Sequence, residues 1–335
     1  EWRGFIPWEA MPHVLDPPAG FLATANHKVV GDDYPYPLTM DWPPPDRARR
    51  INALLAADRR VSREAMAAMQ KDTLLPLAGE LRRYLAAVRP KSPLESAALR
   101  RIAAWNLRFE PGEVGPSIYE AWLLFLLPDI FGKQMGPALA KSASPLVYAQ
   151  TDMLVHLLAR NDDPLFDDRT TPRVETRDDV VRQSFSRAVA WLSGRLGDDP
   201  GEWRWSRLHT VSFAHQPFGS SGIAPLSWIF NSKTLPVAGE DSTVDSTGSD
   251  PDQPFRVVFG VSQRFIADLG DLSRSLAVNS TGQSGHPFHR HHEDQAALWA
   301  RGEYHPMFTT REALAGLSEG VLTLAPPAPP RGAGR

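Results

Sequence analysis

Two serine-containing turns are the first places where a hydrolytic nucleophile could lie. The segment 282–286 (GQSGH) approaches the nucleophile-elbow motif, but a histidine stands where the motif needs its last glycine, and no helix follows directly. The segment 219–222 (GSSG) fails the same test. Both segments therefore indicate glycine-rich turns, and no serine within this chain is predicted to be a nucleophile.

A metal centre is the second kind of chemistry that the residue types allow. The densest group of candidate ligands comprises His286, His289, His291, His292, Glu293 and Asp294. The group lacks the His-Glu-x-x-His spacing of a zinc hydrolase, and adjacent histidines on a helix would point in different directions. The spacing thus favours a structural or exposed cluster, with a metal-dependent hydrolase as an alternative. The acidic Asp32, Asp33 and Asp41 lack the spacing of an EF-hand, and no phosphate-binding glycine loop occurs.

Composition narrows the class of protein. The chain has 335 residues, of which 42% are hydrophobic, and this length predicts about two domains with a sizeable core. It has no cysteine, which excludes disulfides, thiolate nucleophiles and iron–sulfur clusters. The net charge of −3 argues against a nucleic-acid partner or a basic membrane patch. The longest apolar run, 121–127, ends at Pro128 and is far too short for a membrane span, so we expect a buried helix.

The elements that would position any site fall into three segments that differ in sequence pattern. Residues 47–197 are predicted to be helical, with helix starts marked by capping boxes at Ser92 and Ser117 and by Thr176, and with a stop at Gly197. The remaining segments have β or loop character: short strands are predicted at 20–26, 203–213, 254–261 and 275–279, and an acidic loop at 240–253. The order strand–helices–strands predicts an α+β protein.

The same sequence patterns predict the domain organisation. We expect residues 1–46 to form strand and loop, 47–197 a helical region, 198–324 strands that return to the core, and 325–335 a disordered tail. The first residue is Glu1, and no signal-like segment follows, which is typical of a processed chain or a fragment.

Several collinear segments together resemble the penicillin acylase (penicillin amidase) family, in the latter part of its catalytic β chain. They are WRGFIP (2–7), PAGFLATAN (18–26), DYPY (33–36), Trp42, DRARRI (46–51), GQSGHP (282–287), DQ (294–295), Trp299 and GEY (302–304). The resemblance implies part of the αββα sandwich of an N-terminal nucleophile hydrolase, with a large helical insertion. Such an enzyme arises by autoproteolysis, and the new N-terminal Ser attacks an amide carbonyl while its own α-amine serves as the base.

The resemblance also implies roles for two residues. The family's oxyanion-binding Asn falls on Asn26, and the Arg that organises the Ser/Asn network falls on Arg47. His27 stands where many members have a second Asn, which changes a neighbour of the donor and leaves the donor in place. The nucleophile, the backbone oxyanion donor and most of the acyl pocket would lie upstream of this chain, so we expect the chain to be inactive alone.

Further expectations follow from the resemblance. The partners would be a small N-acyl substrate, the upstream β-chain segment and the α chain of the same precursor. Catalysis would need no cofactor, a structural Ca²⁺ would have most of its ligands outside this chain, and the location would be periplasmic or secreted. The acyl group stays open among aryl and aliphatic penicillins, cephalosporins and acyl-homoserine lactones. The alternatives to an amide hydrolase are a non-catalytic scaffold portion and the metal-dependent hydrolase at 286–294.

Overall fold

A computed structural model describes residues 4–58, 61–133, 151–250, 253–318 and 320–326. The predicted tail at 325–335 lies almost entirely outside these ranges. None of the helices within them is both long and apolar enough to cross a bilayer.

The helices dominate the first two thirds of the chain. They are α1 (Asp46–Ala57), α2 (Arg63–Gln70), α3 (Pro76–Arg82), α4 (Pro93–Ala104), α5 (Gly115–Leu127), α6 (Thr151–Leu158), α7 (Arg177–Leu196), α8 (Ala224–Phe230), α9 (Ala296–Arg301) and α10 (Arg311–Ala315). Two of the predicted caps are confirmed. The Ser92 hydroxyl accepts a hydrogen bond from the Glu95 amide at 3.1 Å, and Thr176 and Asp179 form a reciprocal capping box at the start of α7.

The predicted capping box at Ser117 is wrong. Helix α5 begins at Gly115, so that Ser117 is buried inside its first turn. Pro116 follows the helix start directly, and proline suits this position because its φ is helical and it needs no amide partner. Gly115 is required there, because a Cβ would lie 2.0 Å from a ring carbon of Trp105.

In the described part of the chain, seven short strands form two sheets. The strands are β1 (Thr210–Val211), β2 (Leu235–Pro236), β3 (Thr247–Asp250), β4 (Gln253–Gly260), β5 (Gln263–Ile266), β6 (Leu276–Asn279) and β7 (His305–Pro306). The first sheet has the order β2-β1-β4-β3, with β1 parallel to β4, and the second has the order β5-β6-β7. Strands β4 and β6 confirm the predictions for 254–261 and 275–279.

Other strand predictions are corrected. The described residues 4–45 contain no strand, and their regular structure is one 3-10 turn at Trp8–Ala10, so the strand expected at 20–26 is absent. Apolar alternation makes a strand only where a neighbouring segment can pair with it. Within 203–213 only β1 is a strand, because Trp205–Arg207 forms a 3-10 turn that buries Trp205. The acidic segment 240–253 is not all loop, since it contains β3.

The main core lies between helices α5 and α7. Helix α5 is apolar on nearly every side and is buried, as the sequence predicts, with Trp122 donating to the Ser184 hydroxyl of α7 at 3.1 Å. A second, smaller core of valines surrounds Trp299 between the sheets and α9. The buried Arg264 of β5 ties the second sheet to α9 and to the segment before β3, because it pairs with Asp245, donates to the Trp299 carbonyl at 2.8 Å and lies over the Trp299 ring.

Candidate functional site

Asn26 and Arg47, 21 residues apart in the sequence, meet in the structure. The Arg47 guanidinium donates from Nη2 to Oδ1 of Asn26 at 2.9 Å. Asn26 is exposed and has φ of 61°, in the left-handed region that asparagine tolerates better than most residues. Both residues predicted from the family resemblance therefore belong to one contact.

This contact sets the orientation of the Asn26 amide. Arg47 carries only N–H donors, so the side-chain atom of Asn26 that faces it must be the oxygen. The Nδ2 group consequently faces away from the guanidinium, with its N–H bonds available to another acceptor. A neutral amide donor held in one orientation can stabilise a developing oxyanion.

Helix α1 carries Arg47 in its first turn and is anchored by a buried carboxylate. Arg50, one turn later, holds Asp72 through two hydrogen bonds, Nε to Oδ1 at 2.7 Å and Nη2 to Oδ2 at 2.8 Å. Arg108 adds a third contact to Oδ2 at 3.3 Å. Burial alone would raise the pKa of Asp72, but the hydrogen bond and charge of Arg50 outweigh it and hold that pKa below its ordinary value. The position of Arg47 is thus fixed through α1.

An acidic group that sequence reasoning missed lies near the start of α1. Burial raises the pKa of Glu120, on α5, to about 8, and the charge of Asp241 adds to the effect. Burial also raises the pKa of Glu240, with Glu120, Asp241 and Asp46 contributing like charge. Glu120 was visible in the sequence only as the acidic end of the supposed capping box at Ser117. A single carboxylate on an otherwise apolar helix is the sequence signal that could have identified it.

The histidine-rich segment forms a turn with local contacts. His291 Nδ1 lies 2.6 Å from Asp294 Oδ2, and His292 Nδ1 lies 3.0 Å from the Ser284 carbonyl. Ser284 Oγ accepts from the His286 amide at 3.2 Å, as expected of a turn. Within the described ranges no three His, Cys, Asp or Glu side chains are arranged to hold a metal ion, so the geometry gives the metal-hydrolase alternative no support.

The comparison with known families decides the relationship. The sequence model of the penicillin amidase family matches residues 1–316. The chain belongs to the penicillin amidase family. The family assignment agrees with the resemblance carried by the segments around Asn26, Arg47 and 282–304.

Named relatives show how much of a whole protein this chain represents. It is 33% identical over 322 residues to the penicillin acylase 2 proenzyme of Pseudomonas sp. strain SE83, covering 94% of this chain and 40% of that protein. It is 28% identical over 334 residues to the acyl-homoserine lactone acylase QuiP of Pseudomonas aeruginosa, covering 91% of this chain and 39% of that protein. The chain therefore spans about 40% of the length of these relatives.

A solved structure shows the same fold. The thermostable penicillin G acylase from Alcaligenes faecalis superposes with a TM-score of 0.54 at 17% identity, covering 98% of this chain and 61% of that one. The predicted α+β class is confirmed, and the chain forms part of an N-terminal nucleophile hydrolase fold.

Proposed function

We propose that this chain is part of an acylase that hydrolyses an amide through a Ser acyl-enzyme, with the nucleophile on a segment outside the chain. The observation that carries the proposal is the Arg47–Asn26 hydrogen bond at 2.9 Å, which leaves the Asn26 amide N–H as a fixed donor. The family assignment supports amide hydrolysis as the reaction class.

The proposed steps follow from the chemistry of such a donor. The Ser hydroxyl loses its proton to the α-amine of the same residue and attacks the amide carbonyl. The carbonyl oxygen gains negative charge, and Asn26 Nδ2–H, with a backbone N–H, donates to it. Collapse expels the amine, which takes the proton, and water then releases the acid from the ester. Arg47 orients Asn26, and its positive charge lowers the pKa of a nearby α-amine, which favours the neutral base.

The proposal names the substrate by its chemical class and the partners as chains of the same precursor. The substrate is a small N-acyl compound, with penicillins, cephalosporins and acyl-homoserine lactones all open as acyl donors. The partners are the upstream β-chain segment and the α chain of one precursor; one relative is itself named a proenzyme. A periplasmic or secreted location and a structural Ca²⁺ bound mainly outside this chain belong to the same proposal.

The decisive experiment is Asn26→Ala in the longest natural polypeptide that contains this chain. A panel of chromogenic N-acyl amides measures turnover, and intact-mass spectrometry detects the acyl group on the serine segment. We expect the variant to lose about 10²–10³-fold in kcat, because one oxyanion donor is removed. Asn161→Ala, at another exposed asparagine, is the matched control and should leave turnover unchanged.

Two results would contradict the proposal separately. Turnover by Asn26→Ala within about twofold of wild type would remove Asn26 from the oxyanion site. Hydrolysis catalysed by the 335-residue chain alone would show that the nucleophile lies inside it.

A further inference from the structure

A cavity of about 320 Å³ lies between helix α5 and the β3–β4 hairpin. One side is apolar, and is formed by Leu123, Leu124, Leu127, Trp205, Phe255 and Phe259. The volume matches a small organic ligand or one side chain, since ligand sites in proteins begin at about 300 Å³. Neither Asn26 nor Arg47 lines the cavity.

The polar side of the cavity is acidic. Glu120 projects from α5, while Glu240 and Asp241 come from the segment before β3. Burial raises the pKa of Glu240, and the negative charge of Glu120 raises it further by repulsion. Among the described lining residues there is no Lys, Arg or His. A cationic group entering the cavity would relieve this repulsion.

The buried hydroxyl of Tyr119 is a second, independent indication that this cavity holds a ligand. Its side chain is 1% exposed and lines the same cavity, and its hydroxyl has no hydrogen-bond partner among the described residues. Burial raises the pKa of this phenol, and the charges of Glu120 and Glu240 raise it further. A buried hydroxyl without a partner is costly, and a donor placed between it and the carboxyls would satisfy it.

The geometry points to a binding site for a small primary amine, held as its ammonium ion with an apolar chain. The three N–H bonds of the ammonium donate to the carboxylates of Glu120 and Glu240 and to the Tyr119 hydroxyl oxygen. The chain packs against the leucines and phenylalanines of the apolar side. An ammonium fits better than a metal ion, because the described residues bring no three ligating side chains into coordination geometry here.

Calorimetric titration of the 335-residue chain at about pH 8 tests this site. The probe is n-pentylammonium chloride, and the neutral comparison is 1-pentanol, which has the same chain without the charge. We expect saturable binding of the ammonium at least about tenfold tighter than the alcohol. Glu240→Gln should weaken the ammonium at least about tenfold while leaving the alcohol unchanged. Glu80→Gln, at an exposed glutamate on α3, is the matched control.

Tyr119→Phe separates a binding role from a folding role. This variant keeps the ring in the core, and we expect an unchanged melting temperature with roughly threefold weaker ammonium binding. Equal affinity for ammonium and alcohol, or ammonium binding unaffected by Glu240→Gln, would overturn the proposal. Repeating the titration on the longer natural polypeptide distinguishes a free amine from a lysine of an adjoining segment. Retained binding supports the free amine, and loss of binding overturns it.

Discussion

Three constraints meet at Asn26. Its backbone has φ of 61°, which β-branched and bulky residues disfavour, and its side chain accepts from Arg47. The proposed oxyanion role adds the third, an N–H donor that remains available. Glycine would satisfy the backbone alone, and aspartate would satisfy the backbone and Arg47 but has no N–H when ionised. Asparagine meets all three requirements, which explains the residue type without reference to its neighbour His27.

Glu120 makes stability depend on pH in a direction opposite to most carboxylates. Its pKa in the folded chain is about 8, above the ordinary value of 4.5, mainly through burial and then through Asp241. A group whose folded pKa is raised stabilises fully below its unfolded pKa, and that contribution is lost as the pH rises through the folded value. We therefore expect the melting temperature to fall between about pH 5 and pH 8.

Glu120→Gln isolates this effect. In this variant the melting temperature should fall less steeply between about pH 5 and pH 8, because glutamine cannot ionise. Its melting temperature should exceed that of wild type most clearly near pH 8. Melting curves followed by circular dichroism across this range measure the difference, with Glu80→Gln as the control. Parallel wild-type and variant curves would show that Glu120 keeps an ordinary pKa.

At the scale of elements, the attachment of α1 determines where Arg47 lies. Asp72→Asn removes the charge that Arg50 and Arg108 share, and breaking such a buried pair costs about 3 kcal/mol of unfolding free energy. Since the pKa of Asp72 is lowered, its contribution is present above about pH 4 and is lost as the pH falls through the folded value. The wild-type and variant stabilities, measured by urea unfolding, should therefore converge in acid.

The exposed Glu303 offers a control for that measurement. It pairs with Arg301 at 2.7 Å on the surface, and Glu303→Gln should leave the urea midpoint unchanged. If Asp72→Asn had the same midpoint as Glu303→Gln at neutral pH, the anchoring of α1 by Asp72 would be refuted.

The turn at Gly239 sets the course of the segment that carries Glu240. Its φ is +79°, and a Cβ added there would lie 1.8 Å from the Asp245 carbonyl oxygen, a backbone atom that cannot move alone. Its own carbonyl accepts from the buried Trp205 indole at 3.1 Å, which ties the turn to the core. Gly239→Ala should cost at least about 2 kcal/mol of unfolding free energy.

Gly112→Ala serves as the comparison in the same thermal and urea unfolding experiments. A Cβ at Gly112 would meet no atom within 4 Å, so this variant should retain wild-type stability. Equal stability of the two alanine variants would rule out a conformational requirement at Gly239.

Helix starts were predicted correctly where they depend only on residues close in the sequence. The hydroxyl caps at Ser92 and Thr176 mark true helix starts. The side-chain oxygen there accepts a hydrogen bond from a first-turn backbone amide that has no partner within the helix, and this local interaction does not depend on the rest of the fold. Ser117 has the same pattern but lies inside α5, since the helix begins earlier, at Gly115. The local spacing therefore predicts Glu120 as a capping residue, although its position depends on packing between α5 and the segment before β3. Contacts across the chain of this kind are not encoded in local spacing.

At the scale of the whole molecule, strands and site residues were the hardest to predict from sequence. The segment 20–26 has the composition of a strand, but a strand requires a pairing partner, and no described segment forms a ladder with it. Asn26 and Arg47 could be singled out only through family resemblance, because an exposed Asn and an Arg at a helix start are ordinary by themselves. The chain spans about 40% of its relatives' length. The proposed function assigns the nucleophile and other parts of the active site to segments outside the chain.

The segment 4–45 is where those other segments should pack. Several of its large apolar side chains face solvent, with Trp8 83%, Leu15 87% and Met40 96% exposed. Apolar exposure of this extent on one segment is typical of an interaction surface. Because its regular structure is a single turn, we expect chymotrypsin to cut the 335-residue chain within 4–45 well before it cuts α5 or α7.

The same digestion of the longer natural polypeptide tests whether its other segments pack against 4–45. Cleavage within 4–45 should slow by at least about tenfold there, because protection follows the free energy of local opening. The exposed residues 320–326, cut in both proteins, provide an internal reference for protease activity. Mass spectrometry of timed samples identifies each cut. Equal cleavage rates within 4–45 in the two proteins would show that this surface stays exposed in the longer polypeptide.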